Sequence, residues 1–364
     1  MRCRLLYVIG ELRSGGSERQ LYLLLKSMDR ARFRPHVVVW NFSDNQRYAS
    51  PIRALDVPVH SFPAALSTID KLRRLRRLVL DLKPEVLHSY SFYLNAVAYC
   101  ATVRSNTNAI GSVRSDFVSD KKDSGLLIGS VSARWPRHQI CNSVSALEFA
   151  QQSRSPFRPE RLRVVRNGLD LKEAQWHPIP SSGHVCLLGV GSLIPLKRWD
   201  RLLIAASELK KRKFKFSVRI VGDGPLRSEL EEQARSLGLD DCVEFTGPRD
   251  DVSALLADSI LLLHTSNIEG CPNVVMEAMA AGRAVVALDA GDIPYLIEDG
   301  KTGFIVRRGD DEGLLGRVTA LIADRNLCRR MGQAARDKAE REFSLERLVT
   351  DTLAAYGSAG WKDA

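Results

Sequence analysis

Glu269-Gly270-Cys271-Pro272-Asn273-Val274-Val275-Met276-Glu277 sets two carboxylates on either side of a helix start, with seven residues between them. An apolar run at 260–264 precedes the stretch. Ala278-Met279-Ala280-Ala281, all good helix formers, follow it and lead to Gly282. The pattern predicts a strand, a loop carrying Glu269, and a helix with Glu277 about one turn inside it. In an open α/β sheet, ligands bind where strand C-termini and helix N-termini converge. Free N–H groups and the helix dipole at 273–275 favour an anion such as a diphosphate. A Glu in a helix's first turn also serves the dipole alone, so these two acids make a site only if the rest of the chain supplies matching parts.

Outward from this stretch the alternation continues. Residues 186–191, 217–221, 243–246 and 285–288 read as strands, and 198–211, 226–237 and 311–323 as helices. Gly191-Ser192-Leu193-Ile194-Pro195-Leu196-Lys197 leaves a strand and enters a helix, placing Lys197 and Arg198 at the helix start. A cation there opposes the dipole, so stability does not explain it, whereas holding a phosphate does.

The first half follows the same scheme. Strands are expected at 5–9, 36–40, 57–62, 86–88 and 109–113, with 139–143 and 162–168 completing the half; helices begin near Glu18 and span 68–82 and 96–103. Such alternation is the mark of a parallel doubly wound α/β sheet. Ser17 is the expected N-cap of the first helix, and Gly15-Gly16 lets a ligand approach the backbone. The turn is not a Gly-x-Gly-x-x-Gly fingerprint, which gives a nicotinamide cofactor little support. Arg114-Ser115-Asp116 ends a strand on the crevice side. Over 68–82, Lys71, Arg73, Arg74, Arg76 and Arg77 surround Leu72, Leu75, Val79 and Leu82. That basic face reads either as a solvated surface or as a contact with anionic lipid head groups. Residues 175–184 break the pattern and read as a linker. The expected domains are 1–174 and 185–343, with a helix in 344–364 packing back on the first.

At 364 residues, two domains are also the natural division, and 45% hydrophobic residues suffice for two cores. A net charge of +10 and a pI near 9.4 favour anionic partners. Nucleic acid is disfavoured because no basic stretch is interleaved with aromatics, leaving phosphorylated metabolites and a membrane surface. Seven scattered cysteines without a Cys-x-x-Cys pair point to free thiols in a reducing compartment. The first apolar run is short for a signal peptide, and no stretch approaches eighteen apolar residues. A cytoplasmic protein is expected, one able to touch the inner face of a membrane.

Several ordered motifs now combine: Asn167-Gly168-Leu169-Asp170, the loop 190–197, Val221-Gly222-Asp223-Gly224-Pro225-Leu226, Phe245-Thr246-Gly247, and the Glu269 and Glu277 stretch running to Gly282. Downstream come Gly291-Asp292-Ile293-Pro294 and Asp299-Gly300-Lys301-Thr302-Gly303, and in the first half Gly15-Gly16-Ser17 and Cys141-Asn142-Ser143. Together they resemble the retaining glycosyltransferases of family 4, densely from 167 to 306 and more loosely before.

The resemblance implies a GT-B fold: two Rossmann-like doubly wound parallel-sheet domains facing a cleft, with a nucleotide sugar as donor substrate and neither cofactor nor metal. It implies Glu269 beside the transferred sugar and Lys197 on the donor diphosphate as the catalytic pair. Gly16, Ser192, Arg198, Gly270, Cys271, Pro272, Asn273 and Val274 would also meet the donor, Glu277 the ribose, and Pro248 and Arg249 the base. Gly15, Arg114 and Asp116 would lie on the acceptor side. The absence of any Asp-x-Asp pair agrees with metal independence.

Two departures stand out. Ser192 replaces an arginine that grips the diphosphate in many members. Gly111-Ser112-Val113-Arg114-Ser115 lacks a histidine often found near the donor sugar, and Arg114 cannot act as a base, its pKa exceeding roughly 12. The expected activity is transfer of a hexosyl unit to a glycan or lipid-linked acceptor in polysaccharide or glycolipid biosynthesis. Another GT-B enzyme, an epimerase or a phosphorylase, and a catalytically silent sugar-nucleotide-binding protein are the alternatives.

Overall fold

In the computed structural model, residues 3–13, 15–43, 46–114, 117–174, 176–179 and 185–362 are described. They form two compact units, one running to Gly168 and resuming at Leu345, the other spanning Leu169–Ser344. The chain crosses between them just after Gly168, upstream of the stretch expected as a linker. Part of that stretch belongs to the second unit's packing, since Ile179 is buried in its core and the His177 carbonyl accepts from Arg283. Residues 175 and 180–184 lie outside the described residues.

The first unit holds seven strands: β1 (Cys3–Ile9), β2 (Phe33–Phe42), β3 (Val59–Pro63), β4 (Val86–Ser89), β5 (Asn108–Val113), β6 (His138–Cys141) and β7 (Arg161–Val164). Between them run α1 (Gly16–Ser27), α2 (Ala49–Arg53), α3 (Thr68–Leu82), α4 (Asn95–Thr102), α5 (Phe117–Asp123), α6 (Leu126–Arg134) and α7 (Val144–Gln152). Their order in the sheet is β3-β2-β1-β4-β5-β6-β7, every pair parallel. Parallel pairing follows from the helical crossover after each strand, and helices on both faces explain why β1 and β4 are almost wholly buried.

The second unit repeats the scheme with β8 (Cys186–Val190), β9 (Ser217–Val221), β10 (Val243–Gly247), β11 (Leu261–His264), β12 (Ala284–Leu288) and β13 (Gly303–Val306). Its helices are α8 (Trp199–Lys211), α9 (Arg227–Ser236), α10 (Val252–Asp258), α11 (Asn273–Ala280), α12 (Ile293–Leu296), α13 (Asp311–Ala323) and α14 (Arg325–Glu342). The parallel order is β10-β9-β8-β11-β12-β13. α15 (Leu345–Ser358) then returns to the first unit, where it packs on α1. In each sheet the strand order reverses beside the first strand, between β1 and β4 and between β8 and β11. Those switch points are where crevices open at the strand C-termini.

Three local expectations change. Helix α1 starts at Gly16, with extended Gly15 as its N-cap and no side-chain cap, so Ser17 lies in the first turn instead of capping it. Lys71 does not join the basic face of α3. It lies on the stripe of Leu75 and Val79, is 3% exposed, and donates to Asn41 Oδ1 (2.7 Å) and the Ala64 carbonyl (3.1 Å). Finally, α14 has no counterpart among the expected elements, although at 18 residues it is the longest helix of the described residues.

Candidate active site

In the second unit, the loops leaving β8 and β11 meet at the switch point. The β8 loop is shaped by close backbone contacts with the turn after β9. Gly191 N–H donates to the Val221 carbonyl and Leu193 N–H to the Asp223 carbonyl, both at 2.9 Å. A Cβ on Gly222, whose φ is +138°, would overlap the Gly191 carbonyl, and one on Gly224 would crowd the Leu193 backbone. Glycine is thus required where the two turns touch. Trp199 Nε1 holds the Ser192 carbonyl at 2.9 Å, and the loop ends in a short 3-10 turn, Pro195–Lys197.

The loop after β11 clamps that turn. Thr265 Oγ1 donates to the Lys197 carbonyl (2.9 Å), while Ser266 Oγ (3.2 Å) and Asn267 N–H (2.9 Å) donate to the Leu196 carbonyl. So fixed, Lys197 Nζ donates to Glu269 Oε1 at 2.5 Å. His264, 4% exposed at the end of β11, brings Nε2 to 3.0 Å from the same oxygen. Nε2 lies within hydrogen-bond distance of that oxygen but off the aligned geometry. Burial pushes the Glu269 carboxyl up, but His264 and Lys197 outweigh it and hold the group at about 2. Glu269 is therefore an ionised carboxylate at neutral pH.

Helix α11 begins three residues after Gly270, with Pro272 as its N-cap. Gly291, φ +55°, lies against the Glu269-Gly270 backbone too closely for a side chain, and Asp292 N–H donates to the Gly270 carbonyl at 2.9 Å. The first-turn N–H groups of α11 thus issue from a braced loop, at the end of the helix where its dipole is positive. Cys271 is turned inward, its Sγ 3.5 Å from Met276 Sδ, which leaves only its backbone for a ligand. Asn273, Val274 and Glu277 are half-buried on the helix.

Other candidate residues are engaged within the chain. Arg198 caps α8 in the left-handed region (φ 51°) and forks onto Asp200 at 2.9 and 2.7 Å. Arg249 forks onto Asp251 at 2.8 and 2.6 Å, and both it and Pro248 are exposed. The turn carrying them follows Gly247, whose carbonyl accepts from Gly222 N–H at 3.0 Å, so it adjoins the same switch-point loops. His264 escaped the sequence reading because a histidine ending an apolar strand looks like core. Its spacing of five residues before Glu269 was the available signal.

The first unit has its own cleft, of about 510 Å³, at its switch point. Ser17 and Glu18 from the start of α1, Tyr90 and Tyr93 after β4, Arg114 after β5 and Asp120 of α5 line it. The Arg114 guanidinium lies 3.9 Å over the Tyr90 ring, and its carbonyl accepts from Asn142 at 3.2 Å. Glu18 folds back beside Gly15; burial raises its carboxyl, and Arg114 pulls against this. Gly16 opens α1 next to Ser17. Asp116 lies outside the described residues.

Behind the cleft, His88 is fully buried between Tyr356 OH (2.8 Å) and Ser112 Oγ (2.9 Å). Burial and the nearby Arg114 hold its pKa well below the usual value, so the ring is a neutral bridge tying α15 to β4 and β5.

Comparison with known proteins agrees with this architecture. The family described as glycosyl transferases group 1 matches residues 177–338, and glycosyltransferase family 4 matches residues 14–173. N-acetyl-alpha-D-glucosaminyl L-malate synthase of Bacillus anthracis is 35% identical over 38% of this chain and 36% of its own length. The putative colanic acid biosynthesis glycosyltransferase WcaL of Salmonella typhimurium is 29% identical over 52% of this chain and 49% of its own. The chain thus spans about a third to a half of the length of these curated relatives. Among solved structures, Anabaena Alr3699/HepE in complex with UDP and glucose superposes with a TM-score of 0.84 at 19% identity, covering 98% of this chain and all of that one. Sucrose-phosphate synthase of Thermosynechococcus elongatus gives 0.81 at 17% identity, covering 98% of this chain and 99% of that one. With both halves of the chain matched by family models and two Rossmann-like units in the GT-B class, the chain belongs to the group 1 glycosyl transferases of glycosyltransferase family 4.

Proposed function

We propose that the protein is a retaining hexosyltransferase that moves a sugar from a nucleotide-diphosphate donor to a glycan or lipid-linked acceptor in polysaccharide or glycolipid biosynthesis. The observation that carries this reading is Lys197 clasping an ionised, buried Glu269 beside the N-terminus of α11. Breaking a sugar–diphosphate bond builds positive charge at the anomeric carbon and negative charge on the departing diphosphate. A carboxylate fixed beside the sugar opposes the first; a cation and helix N–H groups oppose the second. Lys197 serves both, since one of its three protons binds Glu269 and two remain for phosphate oxygens.

Glu277 accepts from the ribose hydroxyls, and the backbone of residues 270–274 meets the phosphates and sugar. The turn at Pro248 and Arg249 adjoins the base. Charge on the leaving group is balanced by the chain's own donors, so transfer proceeds without a divalent metal. Departure and attack on one face of the sugar retain the anomeric configuration, with the leaving phosphate taking the acceptor's proton. In support, the relatives include a putative colanic acid biosynthesis glycosyltransferase, and a neighbour of the same fold is solved with UDP and glucose.

The test is Glu269→Gln, assayed by sugar transfer and by nucleoside-diphosphate titration. Turnover is expected to fall by about 10²–10³ while nucleotide affinity stays within about threefold, the pattern of an interaction made chiefly in the transition state. Unchanged turnover removes Glu269 from the sugar. A chelator is expected to leave the rate unaltered, and an inverted product anomer overturns the assignment.

A further inference from the structure

The chain's charge is divided unequally. Residues 1–168 with 345–364 hold 29 Lys and Arg against 16 Asp and Glu, whereas residues 169–344 hold 24 against 27. The whole positive excess belongs to the first unit, and the unit proposed to bind the diphosphate is slightly acidic. Donor binding therefore does not account for the basicity of the protein. Arg73, Arg74 and Arg77 on α3 and Lys122 on α5 are among the exposed cations of the first unit.

The same unit carries a run of large aliphatic side chains that the fold leaves in water. At the start of α6, Leu126 is 94% exposed, Leu127 77% and Ile128 53%, and on α5 Val118 is 59% exposed. The two helices form a hairpin joined through Ser124 and Gly125, with Gly125 at φ +77°. Burying large aliphatic side chains is favourable, so three consecutive ones left exposed at a tip mark a surface that something covers.

Charges on α5 are sorted by side. Asp120 and Asp123 line the cleft, whereas Lys121 turns away to Ser155 Oγ and the Phe157 carbonyl, both at 3.2 Å. That pairing brings half-exposed Phe157 to the hairpin, its ring 5.9 Å from the Lys121 amine. Ile128 belongs to both surfaces, since it also lines the cleft beside Tyr93.

We propose that the α5–α6 tip inserts into the head-group region of an anionic lipid bilayer, so that the first unit's cleft opens at the membrane surface. Long-range attraction between a basic unit and anionic lipid brings the protein in; the aliphatic tip then settles at the inner edge of the head-group region, against the acyl chains. A protein partner fits less well, because stable protein interfaces are anchored chiefly by Trp, Tyr and arginine in pockets, whereas the groups projecting here are Leu126, Leu127, Ile128 and Val118 with Phe157 beside them, side chains that partition into lipid. The docking deepens the proposed function by setting the cleft where a lipid-linked acceptor resides, and it is measured without catalysis.

The test uses the full chain with vesicles of phosphatidylglycerol and phosphatidylethanolamine, and with vesicles of phosphatidylcholine alone. Sedimentation with the anionic vesicles is expected, weakening as salt rises, with little binding to phosphatidylcholine. The double variant Leu126→Ser, Leu127→Ser is expected to bind anionic vesicles at least tenfold more weakly while keeping its melting temperature and its response to UDP or GDP. Equal binding by the variant overturns the proposal, as does a dimer that the variant abolishes, which would make a second copy the occupant. A chain that binds vesicles and no nucleoside diphosphate leaves docking intact and sinks the proposed function instead.

Discussion

Glu269 is a carboxylate with very little water and two cationic or polarisable neighbours, which makes its protonation a property of the site. Its pKa is depressed from the usual 4.5 to about 2, so the stabilisation it contributes is fully present above 4.5 and is lost as pH falls toward 2. The shift corresponds to about 3 kcal/mol at most. Denaturant unfolding of the wild type and Glu269→Gln at pH 7 and pH 3 measures this. The stability gap between the two should narrow in acid, and a constant gap would place the carboxylate in ordinary ionisation. Lys197→Ala tests the pair from the other side, by weakening nucleoside-diphosphate binding about tenfold or more; unchanged affinity would detach Lys197 from the phosphates.

At the scale of elements, the switch-point loops are held by backbone contacts, and the opposite end of the sheet, where β11 and β12 begin, is held by one buried arginine. Arg283 is fully buried and donates to the carbonyls of Leu256 (2.7 Å), His177 (2.7 Å) and Ala257 (3.0 Å), joining the end of α10, the segment entering the unit and the start of β12. Burial lowers its pKa to about 10, and it remains charged at pH 7. Arg283→Ala strands those carbonyls and is expected to cost about 3–5 kcal/mol in thermal or urea unfolding. A loss below about 1 kcal/mol would show the carbonyls to be satisfied otherwise. Gly222→Ala should instead displace the β8 loop, raising the donor KM with a smaller effect on stability.

These elements also show what a sequence reveals and what it hides. Helices α3 and α13 and strand β9 fall at the residues read from periodicity, because each shows a regular apolar stripe. Helix α14 does not, since its buried face is Cys328, Met331, Gly332, Ala335, Lys338 and Ala339, mostly small and broken by a lysine, so it does not register as an apolar repeat. Gly332 packs directly on the Gly282 carbonyl, and Arg336 reaches the Ala280 carbonyl at the end of α11 (2.5 Å). Hairpin α5–α6 was illegible for the opposite reason, its apolar residues facing out. The glycine turns, Lys197 and the two glutamates were legible as local motifs. His264 and Arg283 act through contacts made by the fold, which no local pattern announces.

As a whole molecule, the protein is two doubly wound units with separate cores and opposite charge balance, the chain beginning and ending in the first. Among the described residues no helix is long and apolar enough to cross a membrane. The proposed function gives the units different tasks: anion chemistry at the β8–β11 switch point, acceptor and surface contacts in the first. Hydrogen exchange of the full chain with and without UDP or GDP tests that division most directly. The account predicts slowed exchange at 191–198 and 265–277, where the β8 loop, the Glu269 loop and the start of α11 meet. Protection confined to the first unit, or none with either nucleotide, would contradict it.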